Sequence, residues 1–347
     1  MKGKIIYPVN RHTGLLIIGI LIIVFLFFCN LFCGSVSIPI PAVLNILLGK
    51  KEEYSAWTNI VLQSRLPQAI TALLAGSSLA VVGLMLQTLF RNSLVGPDIL
   101  GISNGADLGV AIVLLYCKRI SSDFSLRFNL STVAAAFIGA LGILTLILYF
   151  SVKIKDNIMV LIIGIMMSYL TSSGISILNS FASSESIRSY ILWGLGSFSD
   201  VPINELPFFS ISILIGLLSA ILLIKSLNIL LLGEYYAINL GINIKKIRVL
   251  ILLITGFLIA TITAFCGPIN FIGLIVPHVA RITLKKSNLQ LLLPATILLG
   301  SAMALFCNLV TIIPFNNNLL PLNAVTPLLG VPITIYVICN KKIYIPN

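Results

Sequence analysis

Residues Gly101 to Gly105 spell GISNG and match the G-x-S-x-G pattern that presents a nucleophilic serine in hydrolases. That chemistry needs a strained strand-to-helix elbow and a histidine base, and His12 and His278 are the chain's only imidazoles. Here the pattern opens a glycine-rich apolar stretch, so a hydrolase reading lacks its partners. His278, directly after Pro277 and three residues before Arg281, reads as a hydrogen-bonded structural residue rather than a base or ligand. The six cysteines, Cys29, Cys33, Cys117, Cys266, Cys307 and Cys339, form no CxxC pair. Cys29 and Cys33 share a helix face and read as lipid-facing thiols, so no metal site is expected. No G-x-x-x-x-G-K-[ST] loop occurs anywhere, and any nucleotide that drives this protein must sit on another polypeptide.

Polar residues inside apolar runs carry the remaining chemistry. Ser168, Ser172, Ser176 and Ser180 recur every four residues, with Thr171 and Asn179 beside them. Hydroxyls so spaced form one stripe along a helix, which either lines a wet path or glues helices together. Thr326, Gly330 and Thr334, beneath Asn323, repeat the theme with the same two readings. Asp107 lies well inside an apolar run, where an unpaired carboxylate costs on the order of a few kcal/mol, so it should face water or a partner. Asp98 sits where a helix begins, and satisfying free amides there is explanation enough.

The elements that position these residues follow from composition. Of 347 residues 58% are hydrophobic and 9% charged, and mean hydropathy is +1.10, too apolar for one soluble core. The apolar runs give ten candidate spans, near 14–33, 67–89, 99–117, 130–150, 157–178, 207–224, 249–267, 271–284, 290–313 and 322–340. The first is too long for a signal-peptide core, has no small-x-small site after it, and reads as an uncleaved span. With the N-terminus inside, 15 of the 22 Lys and Arg fall in cytoplasmic connections, which predicts that both termini are cytoplasmic. The net charge of +12 is spread over short loops at membrane edges, with no basic domain to dock nucleic acid. Ala72, Gly76 and Ala80, then Gly101, Gly105 and Gly109, give two helices with flat faces for close packing. Pro268 and Pro277 bracket a short apolar run and predict a half-length or kinked helix beside a pathway. The whole chain, 1–347, reads as one membrane domain without an obvious internal repeat.

In order, RLPQ (Arg65–Gln68), GLMLQTLFRNSLVGPDILGISNGA (Gly83–Ala106), WGLGSFS (Trp193–Ser199), LLLGEYYAINLG (Leu230–Gly241), GPINFIGLIVPHVAR (Gly267–Arg281) and LPLNAVTPLLGVP (Leu320–Pro332) resemble the motifs of FecCD-type permeases. These are membrane subunits of binding-protein-dependent ABC importers for iron-siderophores, haem and cobalamin, and the resemblance runs from about Arg65 onward. It implies an all-α polytopic fold of about ten transmembrane helices, the type II importer permease fold, in a bacterial inner membrane. It implies a dimer, a homodimer in the simplest case, working with two cytoplasmic ATP-binding subunits and an external substrate-binding protein. The permease itself is then no enzyme and binds no cofactor, ATP and Mg belonging to the ATPase.

Residue by residue, Gly233, Glu234, Ala237, Leu240 and Gly241 match the coupling segment, 231–248, that sits in a groove of the ATPase. Asn92 and Leu94, in the turn after Arg91, match the cytoplasmic gate. The stretch 187–199 matches a short external gating helix, and Arg65 matches a docking arginine for the binding protein. Three positions depart from the family pattern: Gln68 replaces a second arginine, Ser93 replaces a proline in the gate turn, and Asp107 stands where a small or apolar residue is common. The resemblance implies import of an iron chelate, siderophore or haem. Cobalamin import by the same kind of permease, or ion-coupled secondary transport, are the alternatives.

Overall fold

The structure, a computed structural model, describes residues 9–50, 55–116, 128–154, 156–285, 288–312 and 320–339. Cys117 and several of the counted basic residues, Lys2, Lys4, Lys155, Lys286, Lys341 and Lys342, lie outside them. The described residues are helical throughout, without strands. In chain order the first helices are α1 (Val9–Phe32), α2 (Ile40–Leu47), α3 (Ser55–Asn59), α4 (Leu66–Leu89), α5 (Ile102–Ala111), α6 (Phe128–Lys153), α7 (Asn157–Phe181) and α8 (Ser184–Gly194). Then come α9 (Leu206–Leu222), α10 (Ile224–Leu232), α11 (Glu234–Asn239), α12 (Ile244–Cys266), α13 (Ile272–Leu284), α14 (Leu289–Ile312) and α15 (Leu322–Cys339).

The described part of each of the ten apolar runs is mostly helical, with breaks at Gly101 and Leu223. Among the described residues, six stretches are long and apolar enough to cross a membrane, including Ser55–Leu89, Asn157–Phe181 and Ile244–Cys266. The α9–α10 pair, bent by 48° at Leu223, makes a seventh, and Ile102–Tyr116, Ile272–Leu284 and Leu322–Tyr336 are shorter apolar helices. The half-length helix expected from the two prolines is α13, whose 13 residues carry Pro277 inside and follow Pro268 by a short non-helical stretch.

The core is organised around α4, whose most apolar window is 83% buried. Small residues let neighbouring backbones reach it. A β-carbon added to Gly76 would lie 2.4 Å from the Gly300 carbonyl on α14, and one added to Gly83 would lie 1.7 Å from the Gly273 carbonyl on α13. A second seam joins α5 to α6, where a β-carbon at Gly109 would meet the Ala135 carbonyl at 2.1 Å. In lipid, where apolar burial drives no association, such contact supplies van der Waals attraction that larger side chains would prevent. Between α4 and α5 a single turn of tighter helix, Pro97–Leu100, ends at Gly101 in the left-handed region (φ 70°), which redirects the chain into α5.

Candidate functional site

At the end with fewer basic residues, the expected outer end, α5, α8, the stretch before α13 and the start of α15 enclose a cavity of about 390 Å³. Its walls are tied together by one amide. Asn323 Nδ2 donates to the carbonyls of Pro268 (2.7 Å) and Gly194 (3.1 Å), and its Oδ1 accepts from the Asn270 amide (3.3 Å). Ser197 N donates to the Cys266 carbonyl at 2.8 Å, closing the same junction. The 13 residues of α13 cover about 20 Å of a hydrocarbon core about 30 Å thick, so the backbone of 267–271 enters the membrane without helical bonds. Irregular backbone is tolerated at that depth where it lines a cavity, as it does through Pro268 and Asn270. Phe271, in the left-handed region (φ 70°), turns that stretch into the helix.

Asp107 projects from α5 into this cavity, and its Oδ1 is buried without a hydrogen-bond partner. Tyr190 of α8 faces the same space. Asp98 differs: its carboxylate accepts backbone N–H groups, its own and that of Phe271, as a residue at a helix start should. Ser103 of the GISNG pattern lies buried in the body of α5 with its hydroxyl 3.4 Å from that of Thr263, on no elbow and beside no base. The described residues hold no cluster of three or more His, Cys, Asp or Glu that could bind a metal.

The opposite end is held by cations. Arg91 (φ 49°) begins the turn after α4, and Asn92 Oδ1 accepts the Leu94 amide at 2.9 Å to shape it. Asn92 and Leu94 are both exposed. The Arg91 guanidinium reaches across to the Leu230 and Leu231 carbonyls, at 3.4 and 3.3 Å, at the end of α10. His278 Nε2 donates to the Ser93 carbonyl at 2.6 Å, the structural role expected of it. Arg281 donates to Gln87 Oε1 at 2.6 Å, and Gln87 in turn donates to the Leu274 carbonyl.

Beyond this turn the expected coupling residues form two short helices around a sharp corner. Gly233 (φ 119°) separates α10 from α11 and packs against the Arg91 guanidinium, a backbone conformation few other residues adopt. Glu234 opens α11, Ala237 is fully buried, and Gly241 (φ 81°) ends the unit, its amide donating to the Ile238 carbonyl. Around them Tyr235, Tyr236, Ile238 and Leu240 are 86%, 67%, 58% and 60% exposed.

Arg65, which the resemblance matched to a docking position, lies inside the helix bundle. It is 5% exposed, and its guanidinium donates to the carbonyls of Leu31 (2.9 Å), Phe32 (3.1 Å) and Val36. It therefore caps the end of α1. The wider helical turn Ile60–Arg65 ahead of α4 ends on this residue, and nothing local in the sequence announces where α1 will lie. Arg248 does the same for α6, donating to the Ile154 carbonyl at 2.8 Å. The Gln68 side chain, where the family pattern has a second arginine, donates to Asn308 Oδ1, and Asn308 donates to Asn30. The serine stripe divides: Ser172, Ser176 and Ser180 are exposed on α7, while Ser168 is half-buried against Gly101. Ser168, Ser176 and Ser180 bond carbonyls of their own helix, so neither reading of the stripe is selected by its hydrogen bonds.

Comparison with known proteins agrees with this arrangement. The model of the FecCD transport family matches residues 21–340. The molybdate import system permease protein of Haemophilus influenzae is 33% identical over 308 residues, covering 86% of this chain and 88% of that one. The hemin transport system permease protein of Yersinia pestis is 32% identical, covering 82% and 84%. A solved inward-facing structure described as a metal-chelate type ABC transporter superposes with a TM-score of 0.82 at 28% identity, over 94% of this chain and 99% of that one. The chain belongs to the FecCD transport family, membrane permeases of binding-protein-dependent ABC importers, and such permeases are not themselves enzymes.

Proposed function

We propose that this chain is the permease subunit of an ATP-driven importer that carries an iron chelate, siderophore or haem, across a bacterial inner membrane. It works as a homodimer with two cytoplasmic ATP-binding subunits, which hold ATP and Mg, and with an external substrate-binding protein. The observation that carries this reading is the exposed apolar surface of α11. Four large apolar side chains stand out on a connection expected in the cytoplasm from its basic residues, where an unpartnered patch of this kind marks a protein interface. That surface is joined through Gly233 and Arg91 to the turn holding Asn92 and Leu94, so a partner pressing on α11 acts directly on the expected inner gate.

The choice of iron chelate rests on the haemin relative and the metal-chelate neighbour; the molybdate relative shows that the family spans other cargo. Cobalamin import through the same architecture is the alternative. Gly241→Arg tests the reading, because an arginine in the left-handed corner both strains the backbone and places a cation on the docking surface. In vesicles reconstituted with the ATP-binding subunits, import per ATP should fall at least about tenfold. Import at the unaltered ratio would remove 231–248 as the coupler. Growth of a deletion strain on single iron or cobalamin sources decides between the cargoes.

A further inference from the structure

We propose that the cavity around Asp107 is a charge-selecting subsite on the import path. It takes a positively charged group of the cargo, such as a protonated amine on a chelate, and disfavours multiply negative complexes. The inference rests on the permease reading for the identity of the cargo, but its electrostatic content stands on the cavity alone. Asp107 Oδ1 is buried, aimed into the space and unpartnered, and none of the residues lining the cavity is basic. The other polar groups leave that acceptor free. Asn323 is committed to Gly194, Pro268 and Asn270, and Ser103 lies against Thr263. Arg188, the basic residue of α8, is exposed and does not line the cavity. The fold gives Asp107 Oδ1 no donor at this depth, and a cation passing through supplies one. A multiply negative complex would meet the carboxylate in a confined, weakly screened space and be repelled, which is selection by exclusion.

The test needs neither cargo nor ATP. In the full-length permease, expressed with its ATP-binding subunits and with the native cysteines replaced, Asn104→Cys places a thiol on the cavity wall. Right-side-out vesicles are treated with two membrane-impermeant methanethiosulfonates, one bearing a trimethylammonium and one a sulfonate. Rates are normalised to Ser184→Cys, an exposed position at the start of α8. The cationic reagent should react at least about tenfold faster than the anionic one. Asp107→Asn should bring the ratio to within about twofold of unity, and Asp107→Glu should keep it. A ratio near unity with Asp107 present, a ratio unchanged by Asp107→Asn, or a thiol inert to both reagents while the control reacts would each overturn the proposal. Failure here leaves the importer reading intact, because that reading is judged separately by ATP-dependent import through Gly241→Arg.

Discussion

Helices α4 and α7 have nearly the same length and hydropathy, 2.1 for the stretch containing α4 and 1.9 for α7, yet their apolar windows are 83% and 17% buried. Apolarity alone therefore does not decide which helix occupies the centre. What differs is the side chains. Gly76, Ala80 and Gly83 bring α4 within backbone contact of α13 and α14, whereas α7 presents Met166, Tyr169, Leu170 and Ile177 outward, interleaved with small hydroxyls. In lipid, close approach is the available source of packing energy, so the helix with the flat faces becomes the hub. The helix with large side chains is left for lipid, for another subunit or for a wet path between subunits.

If that contrast is causal, the largest effect comes from the tightest seam. Gly83→Ala puts a methyl group into the Gly273 carbonyl, which only a shift of α13 relieves, and should abolish recovery of monodisperse protein in detergent. The matching change on α7, Gly174→Ala, meets only the end of the Leu108 side chain at 3.3 Å and should leave the melting temperature within a few degrees. Equal damage from both would break the comparison. Next in size is the entry to α4. Arg65→Ala leaves three carbonyls near the end of α1 without their donor and should destabilise the protein by about 2–4 kcal/mol. Calorimetry on the folded fraction should find its affinity for the external binding protein unchanged, and a lost affinity at unchanged stability would restore the docking role. Asn323→Ala removes two donated bonds from the cavity wall and should cost about 1–3 kcal/mol, read as a lowered melting temperature. The smallest effects belong to α7. Cysteine at Ser172, Ser176 or Ser180 should react with an impermeant thiol reagent in at least one nucleotide state and leave transport within about twofold. At Ser168, packed on Gly101, the thiol should stay silent.

The residues of α4 and α5 were legible in the sequence because their spacing is itself the packing surface: the small-residue rows lie on the seams. The short α13 was legible for a similar reason, since Pro268 and Pro277 act on their own backbone. Gly233 and Gly241 marked the corners on either side of α11 because only their backbone geometry was at issue. Arg65 shows what local pattern leaves out. Its partners at 31–36 come near only after α1 and α4 pack, and a basic residue before a span looks the same whether it caps a helix or greets a partner. The serine stripe shows the complementary limit: a hydroxyl that bonds its own helix keeps the same spacing against lipid, water or another subunit. Asp107 lay between, since its cost in an apolar run required some outlet, but the cavity that provides one is built from three other parts of the chain.

The bend at Leu223 has a mechanical meaning. It sets α10 off the axis of α9 by 48°, so this helix of nine residues is a lever about 13 Å long, pivoted at Leu223 and joined at its far end to α11. A tilt of only about 10° about that pivot displaces Leu231 by about 2 Å. That is the whole difference between the present contact with Arg91 and none. A small rocking motion at the tip of α10 is therefore felt at the turn that begins with Arg91. An opening delivered in that way needs no sliding of the close-packed seams of α4.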